Sequence, residues 1–239
     1  MKNLKVIKSG VRALAAVVAF TGMAVTGTAN AETSASFSAS NMYLWRGVNL
    51  TPSSGQIAGS LDYGHSSGAY AGVWTTNEEA GHETDLYLGF GGKAGGVSYD
   101  ISYWNYLYTE DCNTTSCDSG KNDLSEYIVS VGYEPVTFTV YINADAPTSD
   151  DEYNYYTLDA AFGKFNVQYG VWDYNATGAN NYSHITLSYA ATDEISFAIS
   201  KASNDSGYDN TVANSGTDAY GVEEDPLFQV TYSKSFDLK

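Results

Sequence analysis

From position 32 onward, apolar and polar side chains alternate with a period of two across most of the chain, and no stretch carries a helical period. Successive side chains on a strand point to opposite faces, so this pattern specifies strands and excludes a helical fold. The clearest segment is 97–108. Val97, Tyr99, Ile101, Tyr103 and Leu107 share one face, and Ser98, Asp100 and Ser102 share the other. At about twelve residues it is longer than most globular strands and long enough to cross a bilayer when tilted.

The same alternation predicts strands at 35–46, 56–65, 69–76, 84–91, 124–134, 136–145, 153–163, 165–174, 182–191, 195–202 and 227–236, about twelve in all. Their connections alternate in length. Tight turns fall at Ser66-Ser67-Gly68, Lys93 to Gly96, Glu134-Pro135, Gly163-Lys164 and Thr192-Asp193-Glu194; longer, acidic loops fall at 47–55, 77–82, 109–123, 146–152, 175–181 and 203–225. Short turns at one end and long loops at the other are the topology of an antiparallel transmembrane β-barrel. An even strand count then puts both termini at the short-turn, periplasmic end. No composition break suggests a second domain.

The apolar face carries Tyr43, Trp45, Tyr63, Tyr99, Tyr127, Tyr133 and Tyr189 near strand ends, where interfacial aromatic girdles sit. The opposite face reads as small and polar, as a water-filled lumen requires. A water-soluble β-protein would fill a core with Val, Ile and Leu instead. Twenty-one Tyr, nine Phe and four Trp exclude a disordered acidic chain, and only four Pro suit long unbroken strands.

Residues 1–31 read as a secretory signal. Lys2, Lys5, Lys8 and Arg12 form a basic start, Ala13 to Thr26 an apolar core, and Ala29-Asn30-Ala31 a small-x-small cleavage site. The expected mature chain, 32–239, keeps seven of the eleven basic residues and all twenty-eight acids. A surface this acidic repels nucleic acid, whose phosphates need Lys and Arg. Cys112 and Cys117 lie close together, and in an oxidising compartment such a pair most simply closes a small disulfide loop. No cofactor or metal motif is present. The acids of 203–225 (Asp205, Asp209, Asp218, Glu223, Glu224, Asp225) lack EF-hand spacing and read as a solvated outer surface, bridged by divalent ions to anionic lipid headgroups.

On the lumen-facing alternation fall Asp62, Asp85, Asp100, Glu126 and Asp159, with Arg46 as the one basic residue; these six are the expected pore-lining set. Like charges in a low-dielectric wall concentrate counter-ions, which points to cation preference; acids at the rims, solvated, would leave selectivity untouched. Arg46 either pairs with Asp85 or Glu126 or pegs the first loop in place. The loop 203–225 is long enough to plug the lumen. Catalysis has thin support. His65 and His82 sit in connections, and His184 and Ser188 are about 13 Å apart along an extended strand, too far for a direct hydrogen bond.

Residues 40–77 carry Ser40-Asn41, Trp45-Arg46-Gly47, Leu50-Thr51, Gly59, Asp62-Tyr63, His65, Ser67-Gly68, Tyr70-Ala71-Gly72, Trp74 and Asn77, and the chain closes on Ser233-Lys234-Ser235-Phe236. In these the chain resembles the TorF-type porin family of proteobacterial outer-membrane proteins. Asn49 departs from that pattern, where a small hydroxyl residue is expected, and the chain ends beyond its last aromatic residue, Phe236. Residues and resemblance together predict an outer-membrane diffusion channel for small solutes with cation preference. Expected partners are membrane lipid, lipopolysaccharide, small solutes or ions, and further copies of the chain. A non-conducting barrel with a structural or loop-binding role is the first alternative, and a soluble periplasmic β-protein the second.

Overall fold

The computed structural model describes residues 32–78, 81–110, 124–145, 152–174, 181–204 and 225–238. The expected signal segment 1–31, the Cys112–Cys117 loop and most of 203–225 lie outside the described residues. The strands are β1 (Glu32–Ser40), β2 (Leu44–Trp45), β3 (Val48–Asn49), β4 (Gln56–Gly64), β5 (Ala69–Glu78), β6 (Gly81–Ala94) and β7 (Val97–Glu110). They continue as β8 (Leu124–Tyr133), β9 (Val136–Asp145), β10 (Tyr153–Phe162), β11 (Phe165–Tyr174), β12 (Tyr182–Ala190), β13 (Ile195–Asn204) and β14 (Leu227–Leu238).

Twelve of these form one closed antiparallel barrel, and β2 and β3 form a separate two-stranded hairpin. Closure rests on β1, where Thr33 pairs with Tyr63 of β4 on one side and Leu238 of β14 on the other. Every wall strand is therefore hydrogen-bonded on both sides. No edge is left to carry unpaired backbone groups into hydrocarbon, where each would cost several kcal/mol. At the short-turn end the connections are tight. Gly95 and Gly96, both at positive φ (58° and 86°), join β6 to β7 directly after the Ala94–Val97 pair. Lys93 reaches Glu134 of the next short turn at 2.7 Å, and its hydrogen bond and charge hold that exposed carboxyl below its ordinary pKa.

The expected alternation survives as an exterior that is apolar and an interior that is buried. Leu86, Leu88 and Phe90 on β6 point outward, as do Val97, Tyr99 and Ile101 on β7, while Asp85, Tyr87, Ser102 and Trp104 point in. Among the described residues thirty large apolar side chains are exposed around the barrel, a continuous belt far beyond what a water-soluble surface carries. Tyr63, Tyr99, Tyr133, Phe162, Phe165 and Tyr189 ring its short-turn end, as an interfacial girdle does. Leu88, 61% exposed near the middle of β6, gives a direct check. Leu88→Arg is expected to cost about 2–4 kcal/mol in urea unfolding from phospholipid vesicles. A water-facing site would change by less than about 0.5 kcal/mol.

Two expectations fail locally. The strand predicted at 35–46 leaves the wall at Ser40, so Tyr43 is buried inside the barrel and Trp45 packs against that core instead of joining the outer girdle. Of the connection placed at 77–82, Asn77, Glu78, Gly81 and His82 belong to β5 and β6, which stay paired up to Glu78 and Gly81.

Candidate functional site

The segment between β1 and β4 folds into the barrel. Asn41 starts the departure by taking over the ladder of β14: its Nδ2 donates to the Phe228 carbonyl at 2.9 Å, and its Oδ1 accepts from the Val230 N–H at 2.7 Å. The chain then makes the β2–β3 hairpin, closed by the Leu50 N–H donating to the Tyr43 carbonyl and the Tyr43 N–H donating to Thr51 Oγ1, both at 2.8 Å. Its tip is Arg46-Gly47, at φ of 48° and 89°. Two consecutive positive φ values are the requirement of a two-residue type I′ turn. The Tyr182 hydroxyl holds the tip from the wall by donating to the Arg46 carbonyl at 3.0 Å.

Gly47 is also where the plug meets the wall. A Cβ there would lie 2.7 Å from both Cβ and Cγ of His184. Gly47→Ala is therefore expected to destabilise by more than about 1 kcal/mol, through clash and positive φ together, read as a lower thermal midpoint of the folded barrel.

Arg46 projects into an aromatic cage and a carboxylate. Its Nη1 and Nη2 donate to Glu126 Oε1 and Oε2 at 2.8 and 2.6 Å, a bidentate fork. The Tyr106 and Tyr153 hydroxyls donate to the same carboxylate, each at 2.6 Å. The guanidinium carbon lies 4.5 Å from the ring centres of Trp45 and Tyr141, 4.6 Å from Tyr155 and 5.0 Å from Trp172. Charge on an aromatic face in a desolvated site is worth about 2 kcal/mol. Glu126 keeps the inward parity of Ile128, and Ser125 beside it is buried too, where the β8–β9 register passes over Ala144. Of the alternatives open for Arg46, pairing with Glu126 is the observed one, and that pair also pegs the first loop.

The interior face is not small and polar throughout. Tyr70, Tyr87, Trp104, Tyr106, Tyr141, Tyr153, Tyr155, Trp172 and Tyr182 form one buried cluster with Tyr43, Val48 and Leu50 of the plug. Wide rings fit because glycines face them: Tyr87 lies over Gly72 and Tyr70 over Gly89, their partners in register. The expectation that 203–225 plugs the lumen falls outside the described residues, and the plug seen is the hairpin within 41–55.

Asp62, Asp85, Glu126 and Asp159 are buried inside, and Asp100 shares their face, half-buried. Four of these five are held by donors. Asp62 accepts from Ser60 Oγ at 2.6 Å and from the Tyr87 hydroxyl. Asp100 accepts from the Tyr70 hydroxyl at 2.9 Å. Asp159 accepts from Thr157, Asn166 and Gln168. Glu126 has Arg46 and two phenols. Asp85 has no hydrogen-bond partner on either oxygen. Glu83, one step along the same face, is buried too and was not among the expected residues. Among the described residues Lys93, Lys164, Lys201 and Lys234 are exposed, which leaves Arg46 as the interior's basic side chain, matched to Glu126.

His184 is also interior. Its Nε2 lies 2.7 Å from the Tyr155 hydroxyl and its Nδ1 3.1 Å from Thr186 Oγ1, so both ring nitrogens are occupied by residues other than Ser188. Thr186 passes the contact on to Ser200 at 2.7 Å. This is a neutral hydroxyl network across three strands, without a carboxylate orienting the imidazole.

A model of the bacterial family of unknown function Gcw_chp matches residues 24–222. No curated protein matches the chain. Among solved structures, the KdgM porin is similar at 7% identity and a TM-score of 0.47, over 86% of this chain and 99% of that one. Outer membrane phospholipase A from Escherichia coli is similar at 11% identity and a TM-score of 0.42, over 88% and 90%. A triple mutant of the Rhodopseudomonas blastica porin is similar at 11% identity and a TM-score of 0.34, over 87% and 99%. At these identities neither activity nor solute carries over.

Proposed function

The chain belongs to the Gcw_chp family of bacterial proteins of unknown function, and from that premise we propose that it is a porin-like outer-membrane channel, narrowed by its own first loop, that passes small solutes and favours cations. The observation that carries this reading is the interior charge. Asp62, Glu83, Asp85, Asp100, Glu126 and Asp159 face inward, and against these six stands one Arg46, ion-paired with Glu126. The donors on Asp62, Asp100 and Asp159 are hydroxyls and amides, which orient a carboxylate without cancelling its charge. Fixed negative charge in a low-dielectric wall raises the local cation concentration and repels anions.

Export through a cleaved signal peptide, the outer-membrane location, contact with lipopolysaccharide and assembly with further copies belong to the same proposal. So does the likeness of residues 40–77 to TorF-type porins. The closed wall and apolar belt support a membrane location for physical reasons, since an exterior of this kind is stable only in lipid.

The test is selectivity in the triple variant Asp62→Asn, Asp100→Asn, Asp159→Asn, chosen because each amide can keep part of the existing hydrogen-bond set. Cation-over-anion permeability from the reversal potential is expected to fall toward unity. Unchanged selectivity would place the filter elsewhere. A specific observation favours a second reading, the non-conducting barrel: Tyr43, Val48 and Leu50 of the hairpin are all buried in the interior cluster. A folded, inserted protein that never conducts selects that reading.

A further inference from the structure

We propose that Glu83 and Asp85 form a binding site for a hard inorganic cation, with Ca²⁺ the best match in charge, seated between the wall and the plug hairpin. The two residues are consecutive inward positions of β6, so their carboxylates rise from one face about 7 Å apart at the backbone. Both Asp85 oxygens and Glu83 Oε2 are buried and without a hydrogen-bond partner. Glu83 Oε1 has one weak donor, the Tyr108 hydroxyl at 3.4 Å. The Tyr43 hydroxyl of the hairpin is likewise buried and faces Glu83 without closing a hydrogen bond of good geometry.

Asp62, Asp100, Glu126 and Asp159 each accept at least one well-formed side-chain hydrogen bond, which sets this pair apart. The only interior guanidinium among the described residues commits both terminal nitrogens to Glu126. Two adjacent buried carboxylates without a counter-charge are costly, and a bound cation removes that cost. Oxygen-only ligands with a combined charge of −2 select a hard divalent ion over a soft one. Among the described residues no three acidic, His or Cys side chains converge into a metal cage, so phenol oxygen and water complete the shell. Register places Trp74 and Tyr106 beside Asp85, and Thr76 and Tyr108 beside Glu83, while the carboxylates of Glu78 and Glu126 lie near enough to add negative charge at the pair. Tyr43 stands 5.9 Å from Trp74, ring to ring, so a cation here also ties the hairpin to the wall.

This inference deepens the acidic-interior reading and rests on the inward placement of these carboxylates, not on conduction. A barrel that binds calcium and never conducts keeps the site and loses the channel. The experiment is calorimetric titration of CaCl₂ into chelator-treated, folded full-length protein in detergent, paired with thermal unfolding with and without calcium. The wild type is expected to show a saturable site and a midpoint that rises with calcium. The variant Glu83→Gln, Asp85→Asn is expected to lose that site and, having no buried charge to compensate, to melt above the wild type in calcium-free buffer. The order reverses in calcium. Asp159→Asn serves as the folded control that keeps the site. Equal calcium binding by wild type and double variant overturns the proposal and moves binding to the acidic loops. A midpoint that follows pH but not calcium overturns it too, in favour of a proton shared between the two carboxyls. An equal effect of NaCl at the same concentration overturns the divalent assignment.

Discussion

Replacing Arg46 with Ala is expected to destabilise the folded barrel by about 3–5 kcal/mol, read as a shift in the urea-unfolding midpoint in lipid vesicles. The size follows from what remains behind. Glu126 is fully buried, and loss of the fork leaves its carboxylate with two phenol donors and no positive charge. Arg46→Lys is expected to recover only part of this, since an ammonium is not a planar fork and stacks poorly on the surrounding rings. The paired change Arg46→Met, Glu126→Leu is expected to approach wild-type stability, because both charges leave together and apolar volume replaces them. A loss below about 1 kcal/mol for Arg46→Ala, as for an exposed pair, would show that the ion pair is solvated and the hairpin not seated as described.

Excising the hairpin gives the largest functional effect. With residues 43–50 replaced by a short Gly-Ser linker, and Glu126→Gln added so that no bare charge is created, single-channel conductance is expected to rise severalfold over the wild type. A twelve-stranded barrel encloses a lumen between the side-chain-filled eight-stranded barrels and the open sixteen-stranded porins, so what occupies it decides the current. The hairpin places Tyr43, Val48 and Leu50 in the middle of the interior cluster. Cation preference is expected to persist but weaken, because Asp62, Asp100 and Asp159 stay while the passage widens. Unchanged conductance would mean that the hairpin is not the constriction.

The wall was legible in the sequence because lipid enforces the period. One slip in register turns a whole apolar face toward the lumen, so the alternation tolerates few errors. The expected strands 136–145 and 165–174 coincide with β9 and β11, and the twelve-strand barrel is as read. The plug was not legible, for a physical reason. Tyr43 and Trp45 continue the parity of Phe37, so pattern alone sends them outward; the wall ends at Ser40 because the Asn41 side chain takes the next place on β14. The clue lay in Arg46-Gly47, a dipeptide suited to a two-residue hairpin turn. A second clue was the aromatics on the polar parity, Tyr87, Trp104, Tyr106, Tyr141 and Trp172, which a water-filled lumen does not need. Glu83 falls just outside the strand expected at 84–91, although it shares its face with Asp85. Arg46 illustrates the limit of spacing arguments. Sequence named both Asp85 and Glu126 as partners, and only the fold, which seats the Arg46 fork on Glu126, separates them.

We propose a narrow, cation-preferring passage through a lipid-facing barrel. Its most direct test is single-channel recording of the refolded full-length protein in a planar bilayer under a KCl gradient. Small discrete conductance steps and a reversal potential displaced to the cation side are expected. A folded, inserted barrel with an anion-sided reversal potential, or with no steps at all, would contradict it.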